Sequence, residues 1–138
     1  MIFNQFEEFG NYLWHYSVTG PAMHEVLKSI MGPQDRYRGM ASATGSAGTI
    51  ASGDYMKNLF PDSKIVASEA LQCPTLLENG FGSHRIEGIG DKHVPWIHNS
   101  KNTDVVVAIK RHSLCITGRY LNSPIGVFAR YGGVGEEG

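Results

Sequence analysis

Apolar residues at Met23, Val26, Leu27 and Ile30 recur at the i, i+3, i+4, i+7 spacing of one helix face. Thr19-Gly20-Pro21 precedes them, with Thr19 placed to cap the helix and Pro21 acceptable in a first turn. Gly32-Pro33 stops it. Tyr37–Ala43 reads as a short strand, Thr44–Gly48 as a Gly/Ser turn, and Thr49 as the start of a second helix holding Ile50, Tyr55, Met56 and Leu59. Phe60-Pro61-Asp62 ends that helix, and Lys64–Ser68 is a clearer strand. Residues 37–68 therefore predict strand, turn, helix, strand: a βαβ unit and a parallel sheet.

Downstream, Asn79-Gly80, Gly82, Gly88, Gly90 and Pro95 break residues 69–103 into a long loop, with a short helix at Thr75–Glu78. Loops of this length in a compact domain tend to be functional. Asp104–Ile109 is a continuous apolar run of the kind buried in a parallel sheet. His112–Leu121 is read as a helix, and residues 122–138 as a weakly structured tail. Residues 1–18 are an irregular, aromatic-rich lead-in whose rings pack on the sheet or on a partner chain. The expected organisation is a single α/β domain over 1–138, with lead-in 1–18, core and long loop 19–121, and tail 122–138.

Composition narrows the classes of function. A net charge of −1, with 12 basic and 13 acidic residues, leaves no basic patch for a nucleic-acid backbone. No apolar run reaches membrane-spanning length, and the first residues do not read as a signal peptide. Cys73 and Cys115 form no disulfide framework, which favours a cytoplasmic setting. Glycine is the outlier, at 17 of 138 residues, nearly double the usual ~7%. Such an excess marks tight turns or close approach of backbone to a ligand.

The candidate chemistry begins at the turn Ala43-Thr44-Gly45-Ser46-Ala47-Gly48-Thr49. Small residues between a strand and a helix let successive N–H groups converge at the helix's positive end, which suits a phosphate. The turn lacks the Gly-Lys-Ser/Thr ending of a nucleotide loop and the GxGxxG of a dinucleotide loop. A plain βα turn with no ligand has the same residues. His84, His93 and His98 share one loop but match no ligand spacing, and hydrogen-bonded histidines are the favoured reading. Cys73 is read as a small semi-buried side chain. Of the six lysines, Lys28 and Lys57 fall on polar helix faces, and Lys92 alone lies beside Gly90.

The order of segments resembles the pyridoxal-phosphate (PLP) enzymes of fold type II, which include cysteine synthase and cystathionine β-synthase. The chain has Asn4-Gln5-Phe6, Thr19-Gly20-Pro21, Gly45-Ser46-Ala47-Gly48-Thr49, Lys64–Glu69, Gly80-Phe81-Gly82-Ser83-His84, Glu87-Gly88-Ile89-Gly90 and Val94-Pro95 in that family's order. The match covers about residues 4–109. It implies a three-layer, Rossmann-like parallel-sheet domain, here a partial large domain. It implies that Gly45, Ser46, Ala47, Gly48 and Thr49 hold the PLP phosphate, and that Gly88, Ile89 and Gly90 run beside the cofactor. Ser46-Ala47 stands where the family has Thr-Gly, which matters if that position needs φ > 0.

In that family the lysine that binds the cofactor's aldehyde and the loop that holds the substrate carboxylate lie upstream of the Asn-Gln-Phe segment. The serine that meets the pyridine nitrogen lies downstream, in a segment without a counterpart here. The resemblance thus implies a fragment of a PLP-dependent lyase or β-replacing transferase, inactive alone, with an amino-acid substrate for the full-length enzyme and a homodimeric or higher assembly. The alternative is a non-catalytic α/β module that binds a phosphate-bearing ligand or serves oligomerisation.

Overall fold

A computed structural model of the chain describes residues 3–80, 82–84, 86, 88–109, 116–120 and 128–131. Its core is the expected βαβ unit. Strand β1 (Gly39–Ala43) pairs in parallel with β2 (Lys64–Ala70), with Gly39 opposite Lys64 and Ala43 opposite Ser68. Helix α3 (Ile50–Leu59) makes the crossover. β3 (Val105–Ile109) adds in parallel on the other side of β2, with Val66 opposite Val105. Helices α1 (Phe9–Trp14) and α2 (Gly20–Ile30) precede this unit, and the short α4 (Thr75–Glu78) follows β2, as expected.

The period of two sets the core. Met40 and Ser42, Ile65, Ala67 and Glu69, and Val106 and Ala108 point to one face. There Ile65, Ala67, Val106 and Ala108 form a buried cluster with Ala47, Ile50, Leu77 and Ile97. Gly53 of α3 lets the helix close on this face, since a Cβ there would sit 3.0 Å from Ile65 and 3.1 Å from Met40. On the opposite face Ala41, Ala43 and Ile109 are exposed, and Val66, Ser68, Val105 and Val107 are half-buried. Parallel sheets are normally covered on both sides. The described residues supply the sheet and one of the two helical layers of a three-layer fold; the α/β class itself stands.

Several sequence expectations need correction. The lead-in is helical from Phe9 onward, not irregular. Tertiary packing decides this: Tyr12 stacks on Tyr16, Tyr16 meets Tyr55 edge-on, and the Tyr12 hydroxyl donates to Asp54 at 2.7 Å. Thr19 is not a cap. It has helical angles (φ −66°, ψ −44°) within a π-helical turn, His15–Thr19, that joins α1 to α2. Pro21 has no N–H for the helical ladder, and the preceding turn widens so that Gly20 N–H reaches back to His15 O. The α2 stripe is also rotated. Contacts run through Gly20 against the Tyr55 ring and His24 against Phe60, which leaves Val26 and Ile30 exposed.

The remaining corrections lie at the C-terminal end. Within the proposed helix His112–Leu121, residues Ile116–Tyr120 form strand β4, antiparallel to β3 with Val105 opposite Tyr120. Ile116, Thr117 and Tyr120 have high β-propensity and Gly118 is a poor helix former, so pairing with β3 prevails. Phe128–Tyr131, within the proposed tail, form β5, antiparallel to β4. The sheet is therefore mixed, in the order β1-β2-β3-β4-β5. Residues 110–115, 121–127 and 132–138, with Lys110 and Cys115, lie outside the described residues.

Candidate functional site

The Gly45–Thr49 turn leaves the C-terminal end of β1 and enters α3. Thr44 N–H still pairs with Ser68 O, at 2.9 Å, and Ala51 N–H is the first of the helix side to find a carbonyl, that of Gly48. Between them, among the described residues, the N–H groups of Gly45, Ser46, Ala47, Gly48 and Thr49 meet no main-chain acceptor. Ala47 has φ +64°, in the left-handed region, two residues before Thr49 at φ −61°. The turn stands at the positive end of a ten-residue helix, where an anion is favoured. The Ala47 methyl, 2% exposed, joins the core beneath the turn, and this burial offsets part of the left-handed cost of about 1–2 kcal/mol.

The second predicted segment comes to the same place. Gly90 N–H donates to Thr44 O at 2.9 Å, and a Cβ on Gly45 would lie 2.9 Å from Gly88 O and 3.5 Å from the Ile89 Cα. Gly88 and Gly90 have φ +77° and +82°, and among the described residues, its chain neighbours apart, no heavy atom lies within 4 Å of the place a Gly88 Cβ would take. Gly45–Thr49 and Gly88–Gly90 are thus packed backbone to backbone at the strand ends, where open α/β sheets bind ligands.

Beneath the turn, Glu69 is 2% exposed and accepts from Leu76 N–H (3.0 Å) and Leu77 N–H (2.9 Å). Burial pushes its pKa up, against the pull of those two N–H groups. Cys73 is buried beside Thr75 and Asp91 O, as a packing residue. His98 is buried, with Nε2 3.0 Å from Thr103 Oγ1, and burial lowers its pKa. His84 accepts from Ile86 N–H, and His93 is exposed.

Sequence reasoning missed Asn11 and the Tyr12–Asp54 pair. Asn11 Nδ2 donates to Ser46 Oγ (3.1 Å) and to Gln5 O (3.0 Å), and its carboxamide fills the space that a Gly48 Cβ would need. Asp54 accepts from Tyr12 through Oδ2 and from Asn102 through Oδ1, at 2.9 Å. Burial, then the Asp54 carboxylate, raises the Tyr12 pKa. No local pattern flags these residues, because their partners lie 35–48 positions away.

The fold that carries this turn is shared with known enzymes. The chain superposes on a hydrogen sulfide-producing enzyme from Fusobacterium nucleatum with TM-score 0.70 and 30% identity, over 77% of this chain and 31% of that one. It superposes on the cysteine synthase of Entamoeba histolytica with TM-score 0.66 and 26% identity, over 77% of this chain and 30% of that one. The fold is the α/β fold of the type II PLP enzymes. In sequence the chain is 29% identical to cysteine synthase B of Campylobacter jejuni over 119 residues, covering 86% of this chain and 38% of that protein. It is 27% identical to a probable cysteine synthase of Bacillus subtilis over 124 residues, 89% of this chain and 39% of that protein. No family model matches. Its homologues are thus cysteine synthases, PLP-dependent enzymes, as the motif order implied, and the chain spans about two-fifths of the curated relatives' length.

The turn fits one part of that cofactor. Five N–H groups without main-chain acceptors among the described residues, at the N-terminal end of a helix, suit a phosphate dianion. For the aldehyde, the lysines whose partners or exposure are described offer no buried amine beside the turn. Lys57 and Lys64 are paired with Asp104 at 2.7 and 3.3 Å, Lys28 with Glu25 at 2.8 Å, and Lys92 is exposed in the loop.

Proposed function

We propose that this chain is the phosphate-anchoring portion of a PLP-dependent enzyme of the cysteine synthase type, a lyase or β-replacing transferase acting on an amino acid. Gly45, Ser46, Ala47, Gly48 and Thr49 bind the phosphate, and Gly88, Ile89 and Gly90 border the ring. The observation that carries this reading is the turn of unpaired N–H groups at the end of β1, opposed by the Gly88–Gly90 backbone. PLP, when bound, supplies an electron sink for charge developing at the substrate α-carbon. This chain's residues hold one end of it, fix its direction and keep the strand ends closed through the Gly90–Thr44 bond.

The 138 residues act as one partial domain that does not catalyse by itself. The chemistry needs an amine that holds the aldehyde and then moves the α-proton. Lys28, Lys57 and Lys64 are held in ion pairs, and Lys92 is exposed to solvent in the loop. The chain assembles as a dimer or larger, supported by exposed Phe9, Leu13, Trp14, Val26 and Ile30 on its helices. A cytoplasmic setting suits the free, buried Cys73. Among the described residues no helix is long and apolar enough to cross a membrane.

The test measures pyruvate and thiol-exchange product from O-acetylserine with added PLP, against PLP without protein. The expected rate equals the control. A clear excess that disappears in Lys92→Ala would show that the catalytic amine is Lys92 and overturn the anchor-only reading.

A further inference from the structure

The hydrogen bonds of Asn11 determine where the Ser46 proton goes. Asn and Gln side-chain oxygen and nitrogen look alike, so their orientation follows from their partners. Here one partner is the Gln5 carbonyl, at 3.0 Å, which only accepts. The atom facing it is therefore the NH2, and the same NH2 sends its second hydrogen to Ser46 Oγ, at 3.1 Å. An amide nitrogen does not accept, so Ser46 Oγ is the acceptor in this pair. A hydroxyl has one proton, and that of Ser46 is left for something else. Ser46 is half-exposed and lies in the turn whose N–H groups are unpaired.

We propose that Asn11 is a positioning residue for the anion site: it occupies a lone pair of Ser46 and so presents the Ser46 hydroxyl proton to a bound phosphomonoester. This deepens the phosphate-anchor reading and rests on it. The same carboxamide accounts for Gly48. A Cβ there would collide with Asn11, so the glycine makes room for this side chain. The site then offers six donors, five main-chain and one side-chain, with the side-chain donor held by a residue that does not touch the anion.

The experiment titrates pyridoxine phosphate, which lacks the aldehyde, into the full chain by calorimetry, with the ligand-free melting midpoint recorded for each variant. Ser46→Ala removes a hydrogen bond to a charged group and should weaken binding about tenfold or more. Asn11→Ala leaves the hydroxyl free among three staggered orientations, so the expected loss is about threefold. Asn11→Asp keeps the shape but accepts only, captures the Ser46 proton and adds a negative charge beside the anion, so it should cost at least as much as Ser46→Ala. In the Ser46→Ala background Asn11→Ala should cost nothing further, whereas a purely structural role would add its loss in both backgrounds. If Asn11→Ala fails to fold, the Asn11→Asp and Ser46→Ala pair carries the comparison. A parent that binds, with Asn11→Ala and Asn11→Asp variants that bind equally well or whose losses simply add to that of Ser46→Ala, overturns the role of Asn11 alone. A parent that does not bind overturns the phosphate-anchor reading and this inference together.

Discussion

Replacing Gly45 by alanine tests the contact that joins the two halves of the site. Its φ is not in the left-handed region, so a methyl adds no backbone strain. The cost is steric. The new carbon would stand 2.9 Å from Gly88 O and 3.5 Å from the Ile89 Cα, both main-chain atoms that no rotamer change can remove. The first distance is about half an ångström inside ordinary contact. The segments cannot drift apart freely, because Gly90 N–H holds Thr44 O at 2.9 Å. Overpacking of this kind costs about 1–3 kcal/mol, the upper end including a weakened hydrogen bond. For a chain of 138 residues each kcal/mol is worth roughly 3–5 °C, so the melting midpoint should fall by about 3–15 °C. Amide exchange should show Gly90 losing protection in step. A variant that melts within about 1 °C of the parent, with Gly90 still protected, would refute the packing of Gly45 against Gly88–Gly90.

Other predictions concern the scaffold. Asp104 accepts from Lys57 (2.7 Å), Ile65 N–H (2.8 Å) and Lys64 (3.3 Å). Asp104→Asn should cost about 2–3 kcal/mol in urea unfolding, less than a fully buried pair because Lys64 is largely exposed. Burial alone would raise the Asp104 pKa, but Lys57, the Ile65 N–H and Lys64 together hold it below the usual aspartate value. A depressed folded pKa contributes stability that is complete above the unfolded value of about 3.9 and is lost as pH falls through the folded one. The gap between parent and Asp104→Asn should therefore close below about pH 4, and a gap that widens there would contradict the assignment. Tyr12→Phe takes one donor from the buried Asp54 and should cost about 1.5–3 kcal/mol, read by the same unfolding curves; an unchanged midpoint would mean that Asn102 alone satisfies the carboxylate.

How far the sequence alone could be read follows from the range of each interaction. The βαβ unit was legible because its signals are local: apolar runs at Lys64–Ser68 and Asp104–Ile109, a Gly/Ser turn, and punctuation at Gly32-Pro33 and Pro61. The two candidate segments are legible because both are glycine-rich and stand in an ordered set of motifs, and the structure brings them into contact. Ala47 was flagged as a departure, and it does adopt φ +64°. What escaped depends on distant partners. Phe9–Trp14 is helical because Tyr12 and Tyr16 dock on α3, and Ile116–Tyr120 is a strand because β3 offers it an edge. Asn11 could not be singled out from neighbours such as Gly10 and Tyr12, since only folding places it over Ser46 and Gly48.

In the proposed function, main-chain N–H groups of Gly45–Thr49 hold a phosphate ester. The most direct measurement follows the amide resonances of the labelled chain while PLP is added, with pyridoxal as the control that lacks only the phosphate. Saturable downfield shifts are expected at Gly45, Ser46, Ala47, Gly48 and Thr49 with PLP, smaller ones at Gly88–Gly90, and none at the turn with pyridoxal. Equal shifts with both compounds, or shifts at lysines such as Lys92 with the turn unchanged, would contradict the phosphate-anchor reading.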